Sequence, residues 1–202
     1  MAKIKLFSGM DFSGKTTIVH NINEKLLNVF KIQKKFLTDI NTIDKVRKLD
    51  YWLPPEEWKP LLQKTIETDI ANYKDDGLVL QDSLWIIKYI ATKKEQNSEE
   101  DIEEINILQE LLKDYPEMDS FYITTSIEER IKRLKERESN GKEITGSDKL
   151  LFDCVKFEKV EKHYRDIVLN RFPNTKIIDT TYKTPEETVE EIINDYNFKK
   201  DL

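Results

Sequence analysis

Two hydrophobic rhythms alternate along the chain. Short apolar runs read as strands at 3–7 (KIKLF), 34–40 (KKFLTDI), 77–82 (GLVLQD), 120–125 (SFYITT) and 175–181 (TKIIDTT). They are bounded by polar or turn-forming residues and are too short for helices. Between them, apolar residues recur at about the 3.6-residue helical period. These segments predict helices at 16–30, 53–74, 83–94, 98–115, 127–138, 148–172 and 184–195. Pro54, Pro55 and Pro185 fall in first turns, where the missing N–H is harmless. Ser126 and Glu129 form a capping box ahead of the helix at 127–138. The segment 139–147 (SNGKEITGS) breaks the helical pattern and reads as a loop. Strands that alternate with helices predict a parallel sheet covered on both faces, with ligands at the carboxyl ends of its strands.

Composition narrows the class. The 202 residues suit one domain spanning 1–202, with 38% hydrophobic and 36% charged residues. A net charge of −6 argues against coating nucleic acid, which needs excess positive charge. The single cysteine, Cys154, has no partner for an internal disulfide and no zinc-type spacing. No apolar run approaches the ~20 residues that cross a bilayer, and no leader pattern is present. A cytoplasmic protein is the expectation.

The five glycines are scarce, yet two of them sit five positions apart directly after the first strand. Gly9-Met10-Asp11-Phe12-Ser13-Gly14-Lys15-Thr16 fits G-x-x-x-x-G-K-[ST], the Walker A phosphate-binding loop. Its backbone N–H groups wrap a β-phosphate, and Lys15 sets a cation against the β/γ oxygens. The Thr16 hydroxyl can ligate Mg2+. The following helix turns its positive end to the phosphate. Asp82 closes an apolar strand, where a buried acid needs a partner. It reads either as an acid serving Mg2+ or as a cap, shared with Ser83, for the next helix.

The form Gly-Met-Asp-x-Ser-Gly-Lys-Thr-Thr resembles the loop of thymidylate kinases and, more loosely, of deoxynucleoside kinases. LVLQDS, YITTSIEERIKRLKER, VEKHYRDI and IIDTTYKTPEETVEEI follow in the order and spacing of that family. The resemblance implies a three-layer P-loop α/β fold with a five-stranded parallel sheet in the order 2-3-1-4-5 and a lid near residues 137–149. It implies an ATP-dependent phosphotransferase that uses Mg2+ and acts on a small nucleoside or nucleotide. Gly9, Asp11, Ser13, Gly14, Lys15, Thr16 and Thr17 would line the donor site, with Thr16 and Asp82 at the metal. Asp11 would also meet the acceptor's sugar hydroxyl, although a carboxylate there can equally cap its own loop. Relatives often form homodimers through helices, and IIKYI could supply such a face, which leaves the oligomeric state open.

Arg130, Arg133 and Arg137 share one helical face and make up half of the chain's six arginines. They suit stabilisation of a transferring phosphoryl group, with Arg133 and Arg137 favoured as nearer the loop. Glu128, Glu129, Glu136 and Glu138 interleave with them and could pair them on a solvated face instead. Asp39 ends the second expected strand, where the resemblance to deoxynucleoside kinases implies an acidic general base; it reads equally as an ordinary turn acid. The aromatics of 50–58 (DYWLPPEEW) suit either a base sandwich or a hydrophobic clasp. The acceptor half departs from the thymidylate pattern: Ser83 follows Asp82 where arginine is usual, and no arginine lies in 64–76. The rival expectations are a regulatory switch NTPase and a degenerate kinase that binds nucleotide without transfer. Against the switch, no D-x-x-G sequence follows the third strand.

Overall fold

The computed structural model describes residues 3–34, 55–74, 77–96, 99–141, 148–195 and 198. Five strands form one parallel sheet: β1 (Lys3–Ser8), β2 (Lys31–Lys34), β3 (Leu78–Asp82), β4 (Asp119–Thr124) and β5 (Lys176–Asp179). Their order is β2-β3-β1-β4-β5, as the resemblance implies. The helices are α1 (Lys15–Lys25), α2 (Pro55–Asn72), α3 (Trp85–Gln96), α4 (Glu99–Leu112), α5 (Ile127–Ser139), α6 (Cys154–Arg171) and α7 (Pro185–Asp195).

Strand alternation sorts the core into two layers. Ile4, Leu6 and Val79 join Ile66, Ile87, Ile90, Leu108, Leu134, Val160 and Tyr164, which come from α2 to α6. Phe7, Leu80, Phe121, Ile123 and Ile178 face the other way, onto Ile18, Val19 and Ile22 of α1 and Val189 and Ile192 of α7. The sheet is therefore sandwiched between helices, and its near-continuous apolar strands follow from burial on both faces.

Three boundaries differ from the sequence expectation. α1 stops at Lys25, short of residue 30, because Leu27 and Asn28 take positive φ and the Asn28 N–H bonds back to the Asn23 carbonyl at 2.7 Å. The single helix expected over 148–172 is two elements. Asp148–Phe152 is a 3-10 turn, and Asp153 caps α6 by accepting from the Lys156 N–H at 3.0 Å. β2 lies at Lys31–Lys34; the rest of the strand expected at 34–40, with Asp39, lies outside the described residues. Outside them too fall residues 50–54 of the aromatic stretch and 142–147 of the expected lid.

Candidate functional site

The loop Gly9–Gly14 carries the chain from the carboxyl end of β1 into α1. Gly9 has φ +148°, and a Cβ there would lie 2.3 Å from the Ile123 carbonyl oxygen of β4. Only glycine lets the loop pass that backbone. Gly14 sits at φ +90° and forms the N-cap of α1 with no side-chain capping bond. The first-turn N–H donors of α1 are thus left for an anion, at the positive end of the helix.

Two arginines of α5 hold this loop by consecutive carbonyls. Arg130 Nη1 donates to the Asp11 oxygen at 2.7 Å, and Arg133 Nη1 donates to the Phe12 oxygen at 3.0 Å. Phe12 sits at φ +61°, a left-handed conformation that costs a bulky residue about 1–2 kcal/mol. The N–H that shares a peptide unit with the Phe12 carbonyl, that of Ser13, donates back to the Met10 oxygen at 3.3 Å and closes the loop on itself. Thr180, just past β5, adds a third tie from its Oγ1 to the Ser13 oxygen at 3.2 Å.

The three arginines do different work. Arg130 is fully buried: its Nε donates to the Thr125 oxygen at 3.2 Å, its Nη2 pairs with Glu161, and its guanidinium lies 5.1 Å from the Phe157 ring. It braces the loop from behind. Arg133 lies beside Gly14, with Nη1 3.2 Å from where a Cβ would stand, and its Nε donates to Glu129 at 3.0 Å. The pairing expected of a solvated face is therefore present there as well. Arg137 lies 5.8 Å from the Phe12 ring, with Nη1 3.6 Å from the buried Asp148 carboxylate.

On the other side of the loop, the β1–β3 register sets Phe7 opposite Asp82. Thr16 Oγ1 donates to Asp82 Oδ2 at 2.8 Å. Asp82 Oδ1 is buried with no hydrogen-bond partner. An orphaned carboxylate oxygen next to a threonine hydroxyl is a donor set of the hard, all-oxygen kind that Mg2+ takes. Ser83 and Asp82, the two candidate caps, have other engagements: the Ser83 hydroxyl meets Tyr164 at 3.2 Å. Ser83 sits at φ +70°, and its carbonyl accepts from Gln81 Nε2 at 2.9 Å.

The Lys15 ammonium is within electrostatic reach of Asp11, Asp82, Lys88 and Arg130. Burial pushes its pKa down, and the two carboxylates partly offset that. Asp11 has an ion-pair partner the sequence reading missed, Lys88 of α3. The signal was available: Lys88 is the one charge inside the apolar run WIIKYI. Ser13 is buried, while Thr16 and Thr17 are exposed at the start of α1.

No protein-family model matches the chain, and no curated protein matches it by sequence. Solved structures do match. A thymidylate kinase from Candida albicans aligns over 99% of this chain and 93% of its own, at 19% identity and a TM-score of 0.68. A deoxyadenosine kinase from M. mycoides with bound dATP covers 96% of this chain and 99% of its own, at 20% identity and a TM-score of 0.68. A thymidylate kinase from Ehrlichia chaffeensis covers 96% and 98%, at 17% identity and 0.60. The chain has the fold of these nucleoside and nucleotide kinases. The likeness runs over essentially the whole length on both sides, so the five-stranded kinase fold accounts for the described elements. Among the described residues, no helix is long and apolar enough to cross a membrane.

Proposed function

We propose that this chain transfers the γ-phosphoryl group of ATP, with Mg2+, to a small nucleoside or nucleotide acceptor. The observation that carries the reading is the meeting on one loop of uncapped helix N–H donors, the Lys15 ammonium, and a Thr16–Asp82 pair with an orphaned carboxylate oxygen. Lys15 and the first-turn amides of α1 grip the donor phosphates. Thr16 and Asp82 hold the metal, which when bound neutralises charge on the phosphate oxygens. Arg133 and Arg137 balance charge on the group in flight. Asp11 faces the acceptor and orients its hydroxyl. Asp39 takes the proton from that hydroxyl, an assignment that rests on the resemblance to deoxynucleoside kinases.

Direct transfer requires that water be kept from the phosphoryl group, so a closing lid over 139–147 belongs to the same proposal. Ser83 after Asp82 removes a guanidinium that would grip a phosphorylated acceptor in two-point fashion. Thymidylate is for that reason a poor candidate acceptor. The test is an ADP-release assay with Mg-ATP over a panel of nucleosides and their monophosphates, dTMP included. The reading expects one or a few members to raise ADP release well above the rate without acceptor. A high rate indifferent to every acceptor would point to an NTPase, and ATP binding with no release at all to a degenerate kinase.

A further inference from the structure

Ser83, the residue after Asp82, takes φ +70°, a left-handed conformation that a serine keeps only when its surroundings hold it there. Three hydrogen bonds do so. Its N–H donates to the Gln81 carbonyl at 3.1 Å, its carbonyl accepts from Gln81 Nε2 at 2.9 Å, and its hydroxyl meets the Tyr164 hydroxyl at 3.2 Å. Gln81 is fixed in turn by Tyr73, whose hydroxyl donates to Gln81 Oε1 at 2.6 Å. None of the four residues is more than 2% exposed, so no water stands ready to replace a broken bond. Tyr73 stands one position past α2 and Tyr164 lies in α6, so two helices of one core layer bear on the carboxyl end of β3.

Glycine would take this φ without strain. What serine adds is a hydroxyl, and Tyr164 engages it. The strained residue adjoins the most exacting group of the site. Asp82 keeps one oxygen on Thr16 and has the other buried without a partner. On its N-terminal side the sheet fixes Asp82, with Phe7 and Lys34 opposite it in the neighbouring strands. Beyond Asp82 the ladder ends, and Ser83 is what fixes the backbone there.

We propose that the buried relay Tyr73–Gln81–Ser83–Tyr164 positions Asp82, holding its unpartnered oxygen where a divalent cation can take it. The four are positioning residues that act through Asp82 and touch neither metal nor nucleotide. The proposal rests on the metal half of the function given above.

The test is the gain in ATP affinity that Mg2+ brings, measured by calorimetry on the full chain as the ratio of the dissociation constants in EDTA and in Mg2+. Tyr164→Phe keeps the ring and removes only the hydroxyl, and Ser83→Ala removes the other half of the same bond. Each should remove most of that gain, a loss of about tenfold, as for groups that orient a metal ligand. Affinity in EDTA should stay within about threefold of wild type. Gln81→Met, which releases the Ser83 carbonyl, should do the same. The double Ser83→Ala/Tyr164→Phe should lose no more than either single variant, since all three remove one bond. A merely structural relay would lower affinity alike with and without Mg2+, or lower only the thermal midpoint, and either result would overturn the proposal. So would a double whose loss is the product of the two single losses. Should Ser83→Ala or Gln81→Met fold poorly, Tyr164→Phe decides alone. A wild-type gain that the folded variants all keep overturns this proposal and leaves the metal assignment standing. A wild type whose ATP affinity is indifferent to Mg2+ overturns both.

Discussion

Thr16 Oγ1 donates to one oxygen of Asp82 at 2.8 Å, while the other oxygen of the same carboxylate is buried without a partner. Leaving a charged acceptor unpaired costs more than an ordinary hydrogen bond returns. Under the proposed function a divalent cation would take that oxygen and offset the cost. Asp82→Asn should therefore lower transfer by about 100-fold and weaken the response to Mg2+, since loss of groups around a metal commonly costs 10–100-fold. Thr16→Ser should retain most activity because it keeps the hydroxyl. Steady-state rates against Mg2+ concentration decide it; an Asp82→Asn enzyme with the wild-type Mg2+ curve contradicts the assignment.

Gly9 and Gly14 are both in left-handed backbone, but their surroundings differ. A methyl group at Gly9 would strike the rigid Ile123 carbonyl at 2.3 Å, whereas at Gly14 it meets the end of the Arg133 side chain at 3.2 Å. Arg133 can swing aside; β4 cannot. Gly9→Ala should lower the thermal midpoint clearly more than Gly14→Ala, and equal shifts would argue against the close passage of the loop over β4.

Arg130 is the buried brace. Removing it strands Glu161 and frees the Asp11 carbonyl. Arg130→Met should cost about 3–5 kcal/mol, the usual penalty for breaking a buried pair from one side. For a chain of this size that is a fall of roughly 6–20 °C in Tm. Arg133→Ala, on a side chain 24% exposed, should cost much less stability and show mainly in donor affinity. Thermal unfolding of both variants checks the contrast.

Asp69 predicts a pH dependence of stability. It is buried on α2, where it accepts from Tyr115 at 2.7 Å and from Gln33 at 3.3 Å. Burial pushes its pKa up from 3.8 to about 6, against those two hydrogen bonds. The folded state thus binds the proton more tightly than the unfolded chain. Stability should fall as pH rises from about 4 to about 6 and be flat above, by at most about 3 kcal/mol from this group. Asp69→Asn removes that slope. Its amide can donate to Gln33 Oε1, which is buried and unpartnered. Denaturant unfolding at pH 5 and pH 7.5 should show the variant gaining on wild type at the higher pH. A variant that loses ground there contradicts the shift.

The fold was legible because periodicity and punctuation agreed: apolar runs ending in Asp82 or Asp179, helices opening on Ser126 or Pro185, and one glycine-bounded phosphate loop. Sequence reading erred where local geometry overrode the pattern, as at Leu27 and Asn28, whose positive φ ends α1 early, and at Asp153, which splits 148–172. The phosphate-loop motif could be read because its residues, Gly9 to Thr16, are contiguous. Lys88 was not read, since its partner lies 77 positions away and only the packing of α3 brings them together. The same holds for the buried chain Gln33–Asp69–Tyr115, whose members come from three separate segments.

The central claim is that Lys15 and its loop hold ATP while the γ-phosphoryl group passes to a second small molecule. The most direct measurement follows the label from γ-labelled ATP, with Mg2+ and the acceptor that best stimulates ADP release. Label should appear in the phosphorylated acceptor, in step with ADP, and Lys15→Ala should abolish it while keeping the wild-type circular dichroism spectrum. Label found only in inorganic phosphate, or transfer by Lys15→Ala at the wild-type rate, would contradict it.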